Sequence, residues 1–108
     1  MLETQDLYLS AIEQYGAEAQ IRQAQEEAGE LVAVINQWFR GRATNEKVIK
    51  EIADVIITSA QLKIIFGPER VDEAIREKQE RLAHNLGIGS EWRLEHGGTI
   101  DAVRVGAV

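Results

Sequence analysis

Apolar residues recur at steps of three and four along most of the chain, which is the spacing of helix faces. Leu7, Ile12 and Tyr15 give a weak apolar side to a helix over about residues 4–15, closed by Gly16. Ile21, Ala24, Ala28, Leu31, Ile35 and Trp38 define one face of a second helix over about 17–40, with Gly41 as its stop. Thr44 or Asn45 suits the cap of a third helix over about 45–66. Its apolar residues, from Val48, Ile49 and Ile52 to Ile64, Ile65 and Phe66, spread around much of the circumference, as in a helix at the middle of a bundle. That β-branched run also suits a strand, but its length and the helical spacing of its acids favour helix. Pro68 fits the first turn of a fourth helix, with Val71, Ile75, Leu82 and Leu86 on its buried side and Gly87 at its end.

The last twenty residues change character. Trp92, Leu94, Gly97-Gly98, Ile100, Val103 and Val105 read as a short hairpin or an extended arm. Helices joined by short loops pack antiparallel. The expected architecture is therefore all-α: an antiparallel bundle of about four helices over residues 1–87, followed by an extended or hairpin tail over 88–108.

A chain of 108 residues with 44% hydrophobic composition supports one domain and a real core. Small single cores are marginal, so pairing with a second copy would help. The chain has no cysteine, which removes disulfides and thiolate metal sites and fits a reducing cytoplasm. MLETQDLYLS lacks a basic stretch followed by an apolar run, so no signal peptide is expected, and no apolar run approaches the roughly 18–20 residues of a membrane span. The net charge of −6 argues against a nucleic-acid polymer as partner. It leaves room for a nucleotide if a cation stands between protein acids and phosphates.

The chemistry-bearing residues are acidic. Glu26-Glu27-Ala28-Gly29-Glu30 lies on the second helix and Glu51-Ile52-Ala53-Asp54 on the third. Positions three apart sit one turn apart on neighbouring faces, so Glu27 with Glu30 and Glu51 with Asp54 form two pairs. Glu27 falls among Ala24, Leu31 and Val34, and Asp54 has Val55, Leu62 and Ile65 close on either side. A Glu-x-x-Glu pair on a helix usually marks a solvated face. Two such pairs with apolar neighbours on consecutive helices point instead to a shared site. Gathering four carboxylates is costly unless protons or cations neutralise them. Oxygen ligands without His or Cys suit a hard cation, magnesium or manganese.

EExxE at 26–30, twenty intervening residues, then ExxD at 51–54 resembles the signature of MazG-type proteins, and the resemblance covers about residues 8–86. It implies an all-α, magnesium-dependent nucleoside triphosphate pyrophosphohydrolase, which cleaves an NTP or dNTP to the monophosphate and pyrophosphate. It also implies Glu27, Glu30, Glu51 and Asp54 as metal ligands, Glu26 as the residue that positions or deprotonates water, and a homodimer or homotetramer. Phosphoribosyl-ATP pyrophosphohydrolase shares the motif and is the alternative within the superfamily. A non-catalytic helical interaction module is the alternative outside it.

Candidate phosphate contacts are basic or amide residues. Lys78 stands in the seam Val71, Ile75, Leu82, where its stem either covers core or its charge meets substrate. Arg81 and Asn85 follow on a related face, in an order that departs from the family's usual cluster. Lys47 and Lys50 precede Glu51 and read as solvated or as phosphate contacts. Trp38 continues the 28, 31, 35 stripe and reads as core rather than as a stacking surface for a base. His84 and His96 form no Glu-x-x-His pair, which argues against a di-iron bundle. Gly97-Gly98 belongs to no phosphate-loop motif. The third helix, apolar nearly all round, is more than four short helices cover, so an oligomer is expected.

Overall fold

The structure, a computed structural model, describes residues 1–96. Those residues form five helices and no strand: α1 Thr4–Tyr15, α2 Ala17–Phe39, α3 Asn45–Phe66, α4 Pro68–Asn85 and α5 Gly89–His96. The all-α class and the bounds of the first four helices agree with the apolar periodicity. No helix among the described residues is long and apolar enough to cross a membrane. The chain divides into two compact units, residues 1–66 and 67–108.

In the first unit, α2 and α3 form a hairpin and α1 packs on both. Gln20 pairs with Gln61, Glu27 meets Glu51 and Asp54, and Trp38 meets Asn45. Partner numbers fall on α3 as they rise on α2, so the two helices run antiparallel. One residue, Gly16, joins α1 to α2. Its φ of 92° and ψ of 151° lie in a region that is essentially reserved for glycine, and there the chain reverses with its N–H bonded to the Ile12 carbonyl. The Glu3–Asp6 capping box starts α1, with the Glu3 N–H donating to Asp6 Oδ2 at 2.9 Å. Thr44 caps α3, its Oγ1 accepting from the Lys47 N–H at 3.2 Å.

The covered face of α2 differs from the stripe its apolar residues suggest. Ala24 and Val34 are buried and Glu27 and Leu31 half-buried, whereas Ala28, Ile35 and Trp38 are exposed. The face turned to α3 is thus centred on 24, 27, 31 and 34, and it carries an acid. On α3 the buried residues are Glu51, Thr58 and Gln61, all polar. Trp38 does not fill core. It stands 44% exposed, packs edge-on against Phe39 and donates from Nε1 to Asn45 Oδ1 at 2.7 Å.

In the second unit α5 folds back on α4. The Ile88 N–H donates to the Ala83 carbonyl at 2.9 Å and starts the return. The hairpin or extended arm expected from residue 88 is corrected over 89–96, which is helical. Trp92 and Leu94 suggested strand alternation, but Trp92 also stands four residues after Ile88, on one helix face. Glu91 in the first turn and Arg93 and His96 in the last also complement the helix dipole. The remainder of that arm, residues 97–108 with Ile100, Val103 and Val105, lies outside the described residues.

The buried side of α4 is likewise corrected. Glu80 and Ala83 are buried, while Ile75, Leu82 and Leu86 are exposed. Arg93 on α5 explains the burial of an acid, since its Nε donates to Glu80 Oε2 at 3.2 Å, leaving Glu80 Oε1 without a donor.

Two outcomes follow from these contacts. Thr44→Ala removes the α3 cap and lowers stability by about 1 kcal/mol in thermal or urea unfolding. Arg93→Met keeps the stem but strands the Glu80 carboxylate, a cost of about 1–3 kcal/mol; Glu80→Gln in the same chain recovers part of it.

Candidate metal centre

Glu27 sits midway along α2 and Glu51 and Asp54 in the first half of α3, and the antiparallel register brings them level. Starting from the Gln20–Gln61 pair, seven residues forward on α2 reach Glu27 and seven back on α3 reach Asp54. One carboxylate oxygen from each of Glu27, Glu51 and Asp54 lies within 4.8 Å of the other two. Oxygens on opposite sides of a magnesium ion, each at ~2.1 Å, stand roughly 4.2 Å apart. Adjacent oxygens in the same shell stand roughly 3.0 Å apart, so the three carboxylates reach a shared ion once their side chains draw together.

Burial is graded across the group. Glu51 is 8% exposed, Glu27 half-buried and Asp54 exposed. The site is thus rooted in the helix-helix seam and opens on one side. Glu27 Oε2 and Glu51 Oε2 are both buried without a donor, and such atoms normally carry a desolvation cost of about 1–3 kcal/mol or more. Glu27 Oε1 is satisfied, accepting from Gln23 Nε2 at 2.7 Å. Glu51 Oε1 has Lys47 Nζ at 3.7 Å, an ion pair too long for a hydrogen bond. Each acid is therefore held through one oxygen while the other is left for a different partner.

Glu30 stands one turn after Glu27 and is exposed, outside the tightest three-carboxylate group. It is nonetheless coupled to that group. The Glu27 charge foremost, then the Glu51 charge, and hydrogen bonds to both hold its carboxyl above the ordinary carboxylate range. A proton on Glu30 is one way to relieve the two orphaned oxygens, and a cation is the other.

The remaining candidates are less tightly gathered. Glu26 is exposed, about 100° around α2 from Glu27, and outside the group. Lys47 reaches it through Glu51, and Lys50 is exposed. Lys78, Arg81 and Asn85 are exposed on α4, in the second unit. The apolar seam expected around Lys78 is not formed, because its neighbours Ile75 and Leu82 are exposed as well.

Several supporting residues escaped the sequence reading. Gln23 clamps Glu27, and its only signal was the i, i+4 spacing. Thr58 Oγ1 donates to the Asp54 carbonyl at 2.9 Å, one turn below the site. Gln20 and Gln61 join α2 to α3 at the far end of the seam; nothing in a single sequence pairs two glutamines 41 positions apart. A groove of about 380 Å³ also lies near the α2–α3 turn, lined by Ile35, Trp38, Phe39, Asn45, Val48 and Ile49.

No family model, no curated protein and no solved structure matches the chain.

The repulsion on Glu30 has a sign that can be measured. Its carboxyl holds its proton to higher pH in the folded chain than in the unfolded one, so without metal the unfolded chain releases that proton first. Stability therefore falls as pH rises from the ordinary Glu value, about 4.3, through the raised folded value. Chelator-treated protein melted across about pH 4 to 7 shows this downward contribution, and Glu30→Gln removes it. Equal pH slopes for the two chains would contradict the coupling.

Proposed function

We propose that this chain is a magnesium-dependent nucleoside triphosphate pyrophosphohydrolase of the MazG-like, antiparallel-bundle kind, cleaving an NTP or dNTP to the monophosphate and pyrophosphate. One observation carries the reading: three carboxylates from two helices converge within 4.8 Å, and two of them, Glu27 and Glu51, each carry a buried oxygen without a donor. The spacing of EExxE and ExxD, which resembles the MazG signature, supports it independently.

The donor set fits a hard cation. All ligands are carboxylate oxygens, with no His or Cys, as magnesium or manganese prefers. Glu27, Glu51 and Asp54 would hold the ion, with Glu30, one turn after Glu27, as the fourth ligand. Bound there, a divalent cation polarises phosphoryl oxygens and lowers the pKa of a water.

The residues around the site have separate tasks. Gln23 fixes the Glu27 rotamer through Oε1 and leaves Oε2 for the metal. Lys47, beside Glu51, supplies positive charge for a phosphate. Glu26, exposed next to Glu27, orients or deprotonates the attacking water. A triphosphate brought to a chain of net charge −6 needs this arrangement of cations, because bare carboxylates would repel it. Phosphoryl transfer asks little covalent chemistry of the protein, which suits a site without a Ser, Cys or His nucleophile.

The test is a panel of canonical and modified nucleoside triphosphates, together with phosphoribosyl-ATP, incubated with magnesium and scored for pyrophosphate release. At least one nucleoside triphosphate is turned over. Glu51→Gln and Asp54→Asn each lower the rate by about 100-fold or more while helical circular dichroism is kept. Release from phosphoribosyl-ATP alone transfers the site to that narrower substrate. No release from any substrate, or full activity in both variants, overturns the reading.

A further inference from the structure

Lys47 and Glu51 form a pair that does little for the helix that carries them. They stand one turn apart on α3, with Lys47 Nζ 3.7 Å from Glu51 Oε1. An i, i+4 pair with the base first is the weaker order, and this contact is too long for a hydrogen bond. Exposure divides the pair unevenly. The Glu51 side chain is 11% exposed and the Lys47 side chain 59%. The acid is thus fixed in the seam, while the ammonium sits on a flexible four-carbon stem with solvent around it. The Lys47 backbone is held separately, by its N–H bond to Thr44 Oγ1.

The acids call for more positive charge than Lys47 gives. Glu27 and Glu51 each keep a buried oxygen without a donor, and an Asp54 oxygen lies within 4.8 Å of theirs. One ammonium leaning on Glu51 Oε1 offsets part of this charge and leaves Glu51 Oε2 open. A divalent cation is drawn by the carboxylates and repelled by an ammonium that leans on one of them. Lys47 ends that repulsion by turning outward, where an anion can receive it. Alone with the metal, Lys47 therefore works against binding. With a polyphosphate beside the metal, it works for it.

We propose that Lys47 couples metal binding to triphosphate binding: it stands in for a cation at Glu51 before metal binds, and it turns to phosphate when metal and triphosphate arrive together. Resting on the hydrolase reading for the identity of the site, this role concerns the order of binding rather than the chemistry. It keeps the chain from holding divalent metal tightly without substrate. Such coupling is reciprocal, so each ligand raises the affinity for the other by the same factor.

Calorimetric titration of the full chain uses two probes, Mn2+ alone and inorganic tripolyphosphate with or without Mn2+. Association of the probes with each other in solution is the same for every variant, so ratios between variants report the protein's share. In the wild-type chain Mn2+ raises tripolyphosphate affinity by about 10-fold more than it does in Lys47→Met. Lys47→Met also binds Mn2+ alone more tightly, by about 3-fold or more, with unchanged helicity. Lys50→Met removes the same charge three residues on, at an exposed position, and leaves the coupling intact. Equal coupling in wild type and Lys47→Met, or an equal loss in Lys50→Met, overturns the proposal. Weaker binding of Mn2+ alone by Lys47→Met overturns it too, since Lys47 would then support the metal rather than oppose it. A chain that binds no Mn2+ removes the proposal and the metal-dependent reading together. Lys47-dependent coupling in a chain that turns over no substrate defeats the hydrolase reading alone.

Discussion

Carboxylates at the α2–α3 seam repel one another, and two of them bury an oxygen that no donor reaches. This unfavourable contact organises the first unit. It is sustained because each acid is held by its other oxygen or by its backbone: Gln23 holds Glu27, Lys47 approaches Glu51, and Thr58 bonds the backbone carbonyl of Asp54. An apolar seam would give a more stable hairpin, since replacing buried charge with packed hydrocarbon is commonly neutral or stabilising. Stability is given up here at the position where a cation would restore it.

The same constraint explains why so little hydrocarbon is buried. A helix pair has a limited width of shared surface. Here Glu27, Glu51, Thr58 and Gln61 occupy much of it, so Ile35, Ile49, Ile52 and Ile56 are displaced to the flank. The apolar edge and the acidic centre are two results of one rotation of the helices about their axes.

How much of this was legible in the sequence follows from the range of each signal. Helix bounds are local. Gly16, Gly41, Thr44, Pro68 and Gly87 act on their own backbone, and they place the first four helices correctly. The acid group was legible because i, i+3 spacing fixes each pair and a short loop fixes the neighbour. The covered faces were not. Apolar periodicity finds the apolar face of α2, but the face turned to α3 is set by which residues α3 presents in return, and those are Glu51, Thr58 and Gln61. In α4, burial of Glu80 depends on Arg93 thirteen residues on, beyond any helical period. In the tail, Trp92 and Leu94 fit strand alternation and a short helix equally well over so few positions.

The Gln20–Gln61 pair has a consequence of its own. Both side chains are amides, so neither gains nor loses charge over the range in which carboxylates titrate. Around Glu27, Glu51 and Asp54 the local charge changes with every proton or cation that arrives, and the attraction or repulsion between the helices changes with it. A hairpin aligned only by those groups would be free to slip by a turn, about 5.4 Å along the axis, whenever they were neutralised. The amide pair is a neutral index mark at the far end of the seam, indifferent to the ionic state of the site. It keeps the two acidic segments level whatever charge the carboxylates carry.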